Sequence, residues 1–518
     1  MNARICLRLI FIRISNQWTR FTRWKRIKCW ERIQCRSTQR RRDPRNVCCS
    51  EPDERVWRLP PQSQQQDATT NQVARSRQET SVSTTLRKAG TLTAGVDFED
   101  RVYARLTRRL VPFLCLCYLC AYLDRINVGF AKLQMTTELN WSDTVYGLGA
   151  GVFFLGYVLV EVPSNLLLQR VGARRWIARI MIMWALISGL TAFVRTPGAF
   201  YLMRFLLGVA EAGFLPGIVL YLSHWYPANR RATATALFYC AIPLSGVFGG
   251  PLSGWILNSL HGSLGMSGWQ WVLVLEAVPS LLLGAAVLMY LPDDINEAKW
   301  LSEEEKAILS RNIGRESSGK AAHSLGDALR DRRVWLMGLI FFSCAMGNYG
   351  LSFWLPSLIQ AAGVRDPLNI GLLIAIPFGA GTISMVLWSR HSDKRRERRW
   401  HLAGAMIMGA AGLVLAGVFG TQIQFALVAL TLASIGIQAM APVFWSMPTA
   451  FLTGTAAAAG IALITSIANL AGFISPYLIG WIKDTTHSAN MGLYLIAATM
   501  FGGAVIMVAG VPAKLVNR

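Results

Sequence analysis

Apolar runs of about 20 residues, long enough to cross a hydrocarbon layer about 30 Å thick, recur along the chain from Arg109 onward. Six fall near 109–131, 144–168, 176–195, 199–222, 233–260 and 269–291. After a polar stretch from Pro292 to Arg333, six more fall near 334–360, 369–389, 402–420, 423–446, 455–482 and 490–511. The pattern predicts an all-α membrane protein with 12 transmembrane helices in two pseudo-repeated six-helix bundles, 98–291 and 334–518, joined by an inter-bundle loop, 292–333. In that loop, Leu301-Ser302-Glu303-Glu304-Glu305-Lys306 reads as a helix start, with Ser302 as cap and Glu305 completing a capping box. Residues 1–97 mix Arg clusters with Gln, Ser and Thr without a sustained hydrophobic period, and are expected to form a basic, disordered tail. Its opening Ile5 to Ile14 is interrupted by Arg8 and Arg13 and does not read as a secretory leader.

Composition agrees with a membrane chain: 53% of the 518 residues are hydrophobic and only 16% charged. Net charge is +23, and residues 1–90 hold 20 Lys and Arg against 7 Asp and Glu. No folded nucleic-acid module accompanies the basic tail, so a solvated, lipid-facing segment is the expectation and nucleic acid is not an expected partner. Lys and Arg in the short loops concentrate on one side, at Arg170, Arg174, Arg175, Arg179, Arg230, Arg231, Arg390 and Lys394 to Arg399; the other side has Lys132, Arg195, Arg365 and Lys483. That asymmetry places both termini and the inter-bundle loop in the cytoplasm. Five of the ten Cys lie in the tail and five in apolar spans, which implies no disulfide framework. Cys115, Cys117 and Cys120 have metal-like spacing, but in a lipid-length helix they read as small buried hydrophobes, so no metal is expected. Ser-His-Asp order and phosphate loops are absent, so neither an enzyme nor a cofactor is expected.

Charge inside the apolar spans carries the candidate chemistry, because intramembrane ionisable residues usually serve substrate or proton pathways. Asp124 and Arg125 stand about 20 Å into the first span, counted from Arg109 at about 1.5 Å per residue. The alternative is a pair near the outer end that neutralises itself and snorkels to water. Arg204 and Glu211 are two helical turns apart on one face of the fourth span, so the four charges could meet in one cavity and sum to zero. Protonating either acid would leave net positive charge for an anion to neutralise. Arginine suits that task, because its planar fork grips a carboxylate bidentately. A structural role for either pair, holding helices together, is the competing reading. Tyr122, Tyr157, Tyr349 and Asn469 are candidates for polar substrate contacts, with helix packing as their alternative.

The two halves echo one another. Asn165-Leu-Leu-Leu-Gln169-Arg170-Val171-Gly172-Ala173-Arg174-Arg175 follows the second span, and Ser389-Arg-His-Ser-Asp393-Lys394-Arg395-Arg396 follows the eighth. Gly250-Pro251-Leu-Ser-Gly254-Trp255 is likewise echoed by Ser475-Pro476-Tyr-Leu-Ile-Gly480-Trp481. Over residues 98–512 the chain resembles the major facilitator superfamily. Its first basic turn is similar to the Gly-x-x-x-Asp-Arg-x-Gly-Arg-Arg signature, with Asn165 in place of Gly and Gln169 in place of Asp. More narrowly, Tyr122-Leu-Asp124-Arg125-Ile-Asn127, Glu161-Val-Pro163-Ser164-Asn165, Arg204 to Gly217 and Tyr349 to Pro356 resemble the anion:cation symporter family.

That resemblance implies carriage of carboxylates such as tartrate, galactonate, phthalate or 4-hydroxyphenylacetate, commonly with protons. It implies proton coupling at Asp124 and Glu211, substrate binding by Arg125 with Arg204, Tyr122, Tyr157, Tyr349 and Asn469, and gating by Gln169, Arg170, Arg174, Arg175 and Asp393. The expectation is a monomeric, proton-coupled importer in a bacterial inner membrane. Two alternatives stand beside it. Gly246 to Gly254 is similar to a glycine motif of drug antiporters, which argues for export, although small-residue helix packing explains it equally. A non-transporting membrane sensor is the other.

Overall fold

A computed structural model of the chain describes residues 64–317, 330–448 and 454–517. The chain divides into two units, Met1–Lys88 and Ala89–Arg518, and the second holds every membrane-length helix among the described residues. In the first unit, residues 1–63 of the expected tail lie outside the described residues. From Gln64 onward the chain is helical, which departs from the expected disorder. Gln64 to Ala89 contains neither Gly nor Pro, so nothing local breaks a helix there.

Among the described residues, twelve helices are long and apolar enough to span a membrane. The first six are α1 Asp97–Glu138, α2 Asp143–Val171, α3 Ala173–Phe193, α4 Pro197–Ser223, α5 Leu237–Ser259 and α6 Gly268–Tyr290. The second six are α7 Arg332–Ala361, α8 Pro367–Arg395, α9 Arg399–Val418, α10 Ile423–Trp445, α11 Gly460–Thr486 and α12 Asn490–Gly510. The six-loop-six pattern is therefore the architecture. α1 begins well before Arg109 because Val102, Tyr103, Leu106 and Leu110 make a buried stripe at helical spacing. A hydropathy window tuned to lipid length passes over such an amphipathic extension.

That stripe supports the loop helix Glu303–Ser317, which opens on the expected box: Ser302 N–H donates to Glu305 Oε2 at 2.9 Å and Glu305 N–H to Ser302 Oγ at 3.3 Å. The same Glu305 pairs with Arg105 of α1 at 3.2 Å, and Asn312 donates to Tyr103 Oη at 3.3 Å.

The bundles meet along α2 with α11 and α5 with α8. Gly254 is required there: a Cβ at that position would stand 2.5 Å from the Pro367 carbonyl oxygen of α8. Close backbone approach thus accounts for glycine in this motif.

Candidate substrate and proton site

Arg125 and Glu211 meet as a buried ion pair between α1 and α4. Three rings surround the guanidinium: its carbon lies 5.2 Å from the Tyr122 ring centroid, 5.2 Å from Phe153 and 5.6 Å from Tyr157. Arg125 Nε has no hydrogen-bond partner, so one donor of the fork is unused. Arg204, also buried, lies 5.2 Å from the Phe153 ring centroid and leaves Nε and Nη2 without partners among the described residues. Three buried arginine donors left unmatched are costly, and donors of this kind are chemically suited to anionic acceptors.

The second bundle closes on the same place. Asn348 of α7 donates to Tyr122 Oη at 3.2 Å, and the Tyr349 ring packs edge-on against Phe154 at 4.4 Å. Asn469 is half-buried on α11. The site is therefore built at the junction of the bundles, from α1, α2 and α4 on one side and α7 on the other.

Glu211 owes its position to a break in α4. Gly213 takes the left-handed region, φ +88°, which interrupts the helix immediately after Ala212. The interrupted carbonyl of Ala212 accepts a hydrogen bond from Ser164 Oγ at 2.7 Å, and Trp176 Nε1 donates to that hydroxyl at 3.0 Å. A discontinuity buried in protein with its backbone satisfied is tolerated at membrane depth, and it sets the last residue of the first half-helix, Glu211, against Arg125.

Asp124 does not join this group, which departs from the expected meeting of four charges. Successive residues of a helix point about 100° apart, so Asp124 faces α3 and α6 when Arg125 faces α2 and α4. Its carboxylate accepts from Trp184 Nε1 at 3.1 Å, from Ser188 Oγ at 3.2 Å and from Ser280 Oγ. Glu211 pairs with Arg125 and not with Arg204, so the competing reading of a structural Arg204–Glu211 pair is not what the structure shows.

The basic turns are arranged within each bundle. Arg174 donates its backbone N–H to Asp293 Oδ1 at 2.7 Å and its guanidinium lies 3.6 Å from Oδ2, so Asp293, at the end of α6, supplies the acid that Gln169 does not. Asp393 pairs with Arg398 at 2.6 Å. Gln169, Arg170 and Arg175 are exposed. Among the described residues, no ion pair joins the two bundles at this end. At the opposite end Asp143 of α2 holds both Lys132 of α1 at 2.6 Å and Lys483 of α11 at 2.9 Å. Asp484 of α11 accepts from the backbone N–H groups of Asp143 at 3.0 Å and Thr144 at 2.7 Å. This network at the end away from the basic turns, including Ser357 of α7 at 3.2 Å from Lys132, had no sign in the sequence beyond a few loop charges set beside acids.

Two six-helix bundles around a buried, charged junction define a multi-pass membrane transporter rather than an enzyme. The chain belongs to the Major Facilitator Superfamily, whose profile matches residues 114–476. It is 52% identical to a protein of Agrobacterium vitis provisionally named a tartrate transporter, over 79% of this chain and 94% of that protein. It is 40% identical to a quinolone resistance transporter of Acinetobacter baumannii, over 79% and 95% respectively. The fold is that of the xylose transporter XylE from E. coli, with a TM-score of 0.63 at 15% identity, covering 78% of this chain and 99% of XylE.

Proposed function

We propose that the protein is a proton-coupled importer of a small organic carboxylate, tartrate-like in size and charge, that works as a monomer in a bacterial inner membrane with both termini in the cytoplasm. The observation that carries this reading is the Arg125–Glu211 pair at the bundle junction, with unused donors on Arg125 and Arg204 beside it. A proton on Glu211 neutralises the carboxylate and releases Arg125, whose fork then binds the substrate carboxylate bidentately. Arg204 offers a second cationic contact, and Tyr122, Tyr157, Tyr349 and Asn469 shape the pocket. Asp124 carries a further proton within the first bundle. An anion and its protons then travel together, because the freed arginine is stabilised only by a substrate anion. Gln169, Arg170, Arg174, Arg175 and Asp393 act at the cytoplasmic gate when the basic turns approach one another. The name borne by the Agrobacterium vitis relative supports tartrate as the first substrate to try.

The test is uptake of labelled tartrate into proteoliposomes under an inward proton gradient, with phthalate, galactonate and 4-hydroxyphenylacetate as competitors. Uptake that follows the gradient and disappears in Arg125→Ala supports the assignment; no uptake of any of these anions refutes it. Export is the second reading, favoured by the Acinetobacter baumannii relative. Gradient-driven efflux of a quinolone, without anion uptake, would establish that reading instead.

A further inference from the structure

Glu276 of α6 lies in the interior of the first bundle and takes no part in the mechanism above. It is fully buried, and Ser253 Oγ of α5 donates to its Oε1 at 2.5 Å, while Oε2 has no partner in hydrogen-bond geometry among the described residues. Among the described residues no Lys or Arg forms an ion pair with it. Beside it lies Asn127 of α1, also fully buried, whose amide approaches the Glu276 carboxyl without reaching good hydrogen-bond geometry. Buried carboxyl and carboxamide groups left this incompletely satisfied are expensive as permanent structure.

The placement is regular. Asp124 and Asn127 are one turn apart on α1, and Glu276 and Ser280 are one turn apart on α6. Ser280 donates to Asp124, and Asn127 sits against Glu276, so two antiparallel helices carry the carboxyls of Asp124 and Glu276 on facing surfaces one turn apart. The groups facing Glu276 are Asp124 and the Cys120 thiol of α1, Ser253 of α5 and Ser280 of its own helix; α3 contributes Trp184 and Ser188 through Asp124.

We propose that Glu276 is a proton-carrying carboxyl of the transport cycle, loaded and emptied through Asp124. When the two carboxyls come within hydrogen-bond reach in the cycle, the proton leaves the O–H of one for an oxygen of the other, so one acid and one carboxylate exchange identities and no other reactant is needed. With no Lys or Arg partner among the described residues Glu276 favours its protonated form in this conformation; a change in packing that adds a hydrogen bond from Asn127 to the one from Ser253 favours release. The chain then moves one proton more per anion than Glu211 and Asp124 provide.

This inference rests on the proton-coupled reading, and a steady-state measurement separates the two. Wild type and Glu276→Gln are reconstituted, the membrane voltage is clamped at zero, and labelled tartrate is allowed to accumulate under a gradient of one pH unit. Each coupled proton multiplies the limiting accumulation about tenfold at that gradient, so E276Q is expected to accumulate about tenfold less than wild type, whatever its rate. Equal accumulation overturns the proposal and leaves the proton-coupled reading intact. Absence of pH-driven accumulation in wild type overturns both. Ser253→Ala gives an arm that does not depend on the folding of E276Q. It keeps the carboxyl and removes its hydrogen bond, so the pH of half-maximal uptake shifts if Glu276 titrates in the cycle. An unmoved profile refutes the proposal.

Discussion

Arg125 is held by the Glu211 carboxylate and by the faces of Tyr122, Phe153 and Tyr157 at once. Lysine at this position would keep the charge but lose the planar fork and most of the stacking. One lost charge-assisted hydrogen bond is worth about 1.5–3 kcal/mol, so Arg125→Lys is expected to lower tartrate uptake about 10- to 100-fold at unchanged protein level. Uptake at the wild-type rate would exclude Arg125 as the carboxylate ligand. Glu211→Gln should behave differently, because an amide can occupy the site but cannot titrate. Counterflow exchange of tartrate is expected to survive while the limiting accumulation at a gradient of one pH unit falls about tenfold, one proton's share; an unchanged limit would remove Glu211 from the coupling. The identity of these side chains is legible in the sequence, since charge in an apolar run announces itself. Their pairing is not. Spacing reports position only along one helix, so it put Arg204 and Glu211 on one face, and it cannot say that Arg125 arrives from another helix or that Asp124 turns to Trp184, Ser188 and Ser280. Glu276 stands in the apolar run 269–291, but its neighbours are not legible there, because Ser253 and Asn127 come from two other helices.

α4 shows how an element places a site. Gly208 packs so closely on α2 that a Cβ would run into the Phe153 carbonyl, and Phe153 is the ring shared by Arg125 and Arg204. Gly208→Ala should therefore push α4 from α2 and separate Glu211 from Arg125, with uptake falling sharply in protein that still inserts and binds detergent as a monodisperse species. Normal uptake would mean that the helices can slide apart without cost to the site. The start of α9 is fixed by Glu397, which accepts from the N–H groups of Trp400 at 2.7 Å and His401 at 3.1 Å and contacts the His401 ring at 2.6 Å. Partial burial alone would push this carboxyl up; the hydrogen bonds from Trp400, His401 and Asn517 outweigh it and hold Glu397 below the usual carboxylate range. A depressed folded value means that the contribution is complete above the ordinary glutamate range, about pH 4–5, and fades as pH falls through the lower folded value. Glu397→Gln is expected to lower the melting temperature at neutral pH and to shrink that deficit on acidification. A deficit independent of pH would assign the effect to packing. Elements of this kind were the readable part of the chain: lipid-length runs gave the spans, and Ser302 with Glu305 announced a helix start. The early beginning of α1 and the helix from Gln64 escaped notice because neither is apolar enough to register as a span.

For the whole molecule, the question is what holds this conformation. The two bundles are tied at the end away from the basic turns, where one acid, Asp143, bridges Lys132 of the first bundle and Lys483 of the second. Lys132 is almost fully buried and also lies 4.4 Å from the Trp354 ring centroid of α7, so its charge depends on contacts from both bundles. Alternating access requires this cluster to part when the other end closes. A bridging acid in a partly buried site is worth more than a surface pair, and removing it leaves two lysines facing each other. Asp143→Asn is therefore expected to destabilise the present conformation by ~1–2 kcal/mol, which changes the ratio of the two states about 5–30-fold. Paired spin labels report the shift directly. Thr137 with Ala361 and Arg175 with Lys394 are exposed positions at the two ends. In Asp143→Asn the first distance should lengthen and the second shorten, relative to the same pairs on the unaltered background. If both distance distributions stay where they are, the cluster follows the closure of the bundles instead of holding it, and the α2–α11 and α5–α8 packing sets the equilibrium by itself.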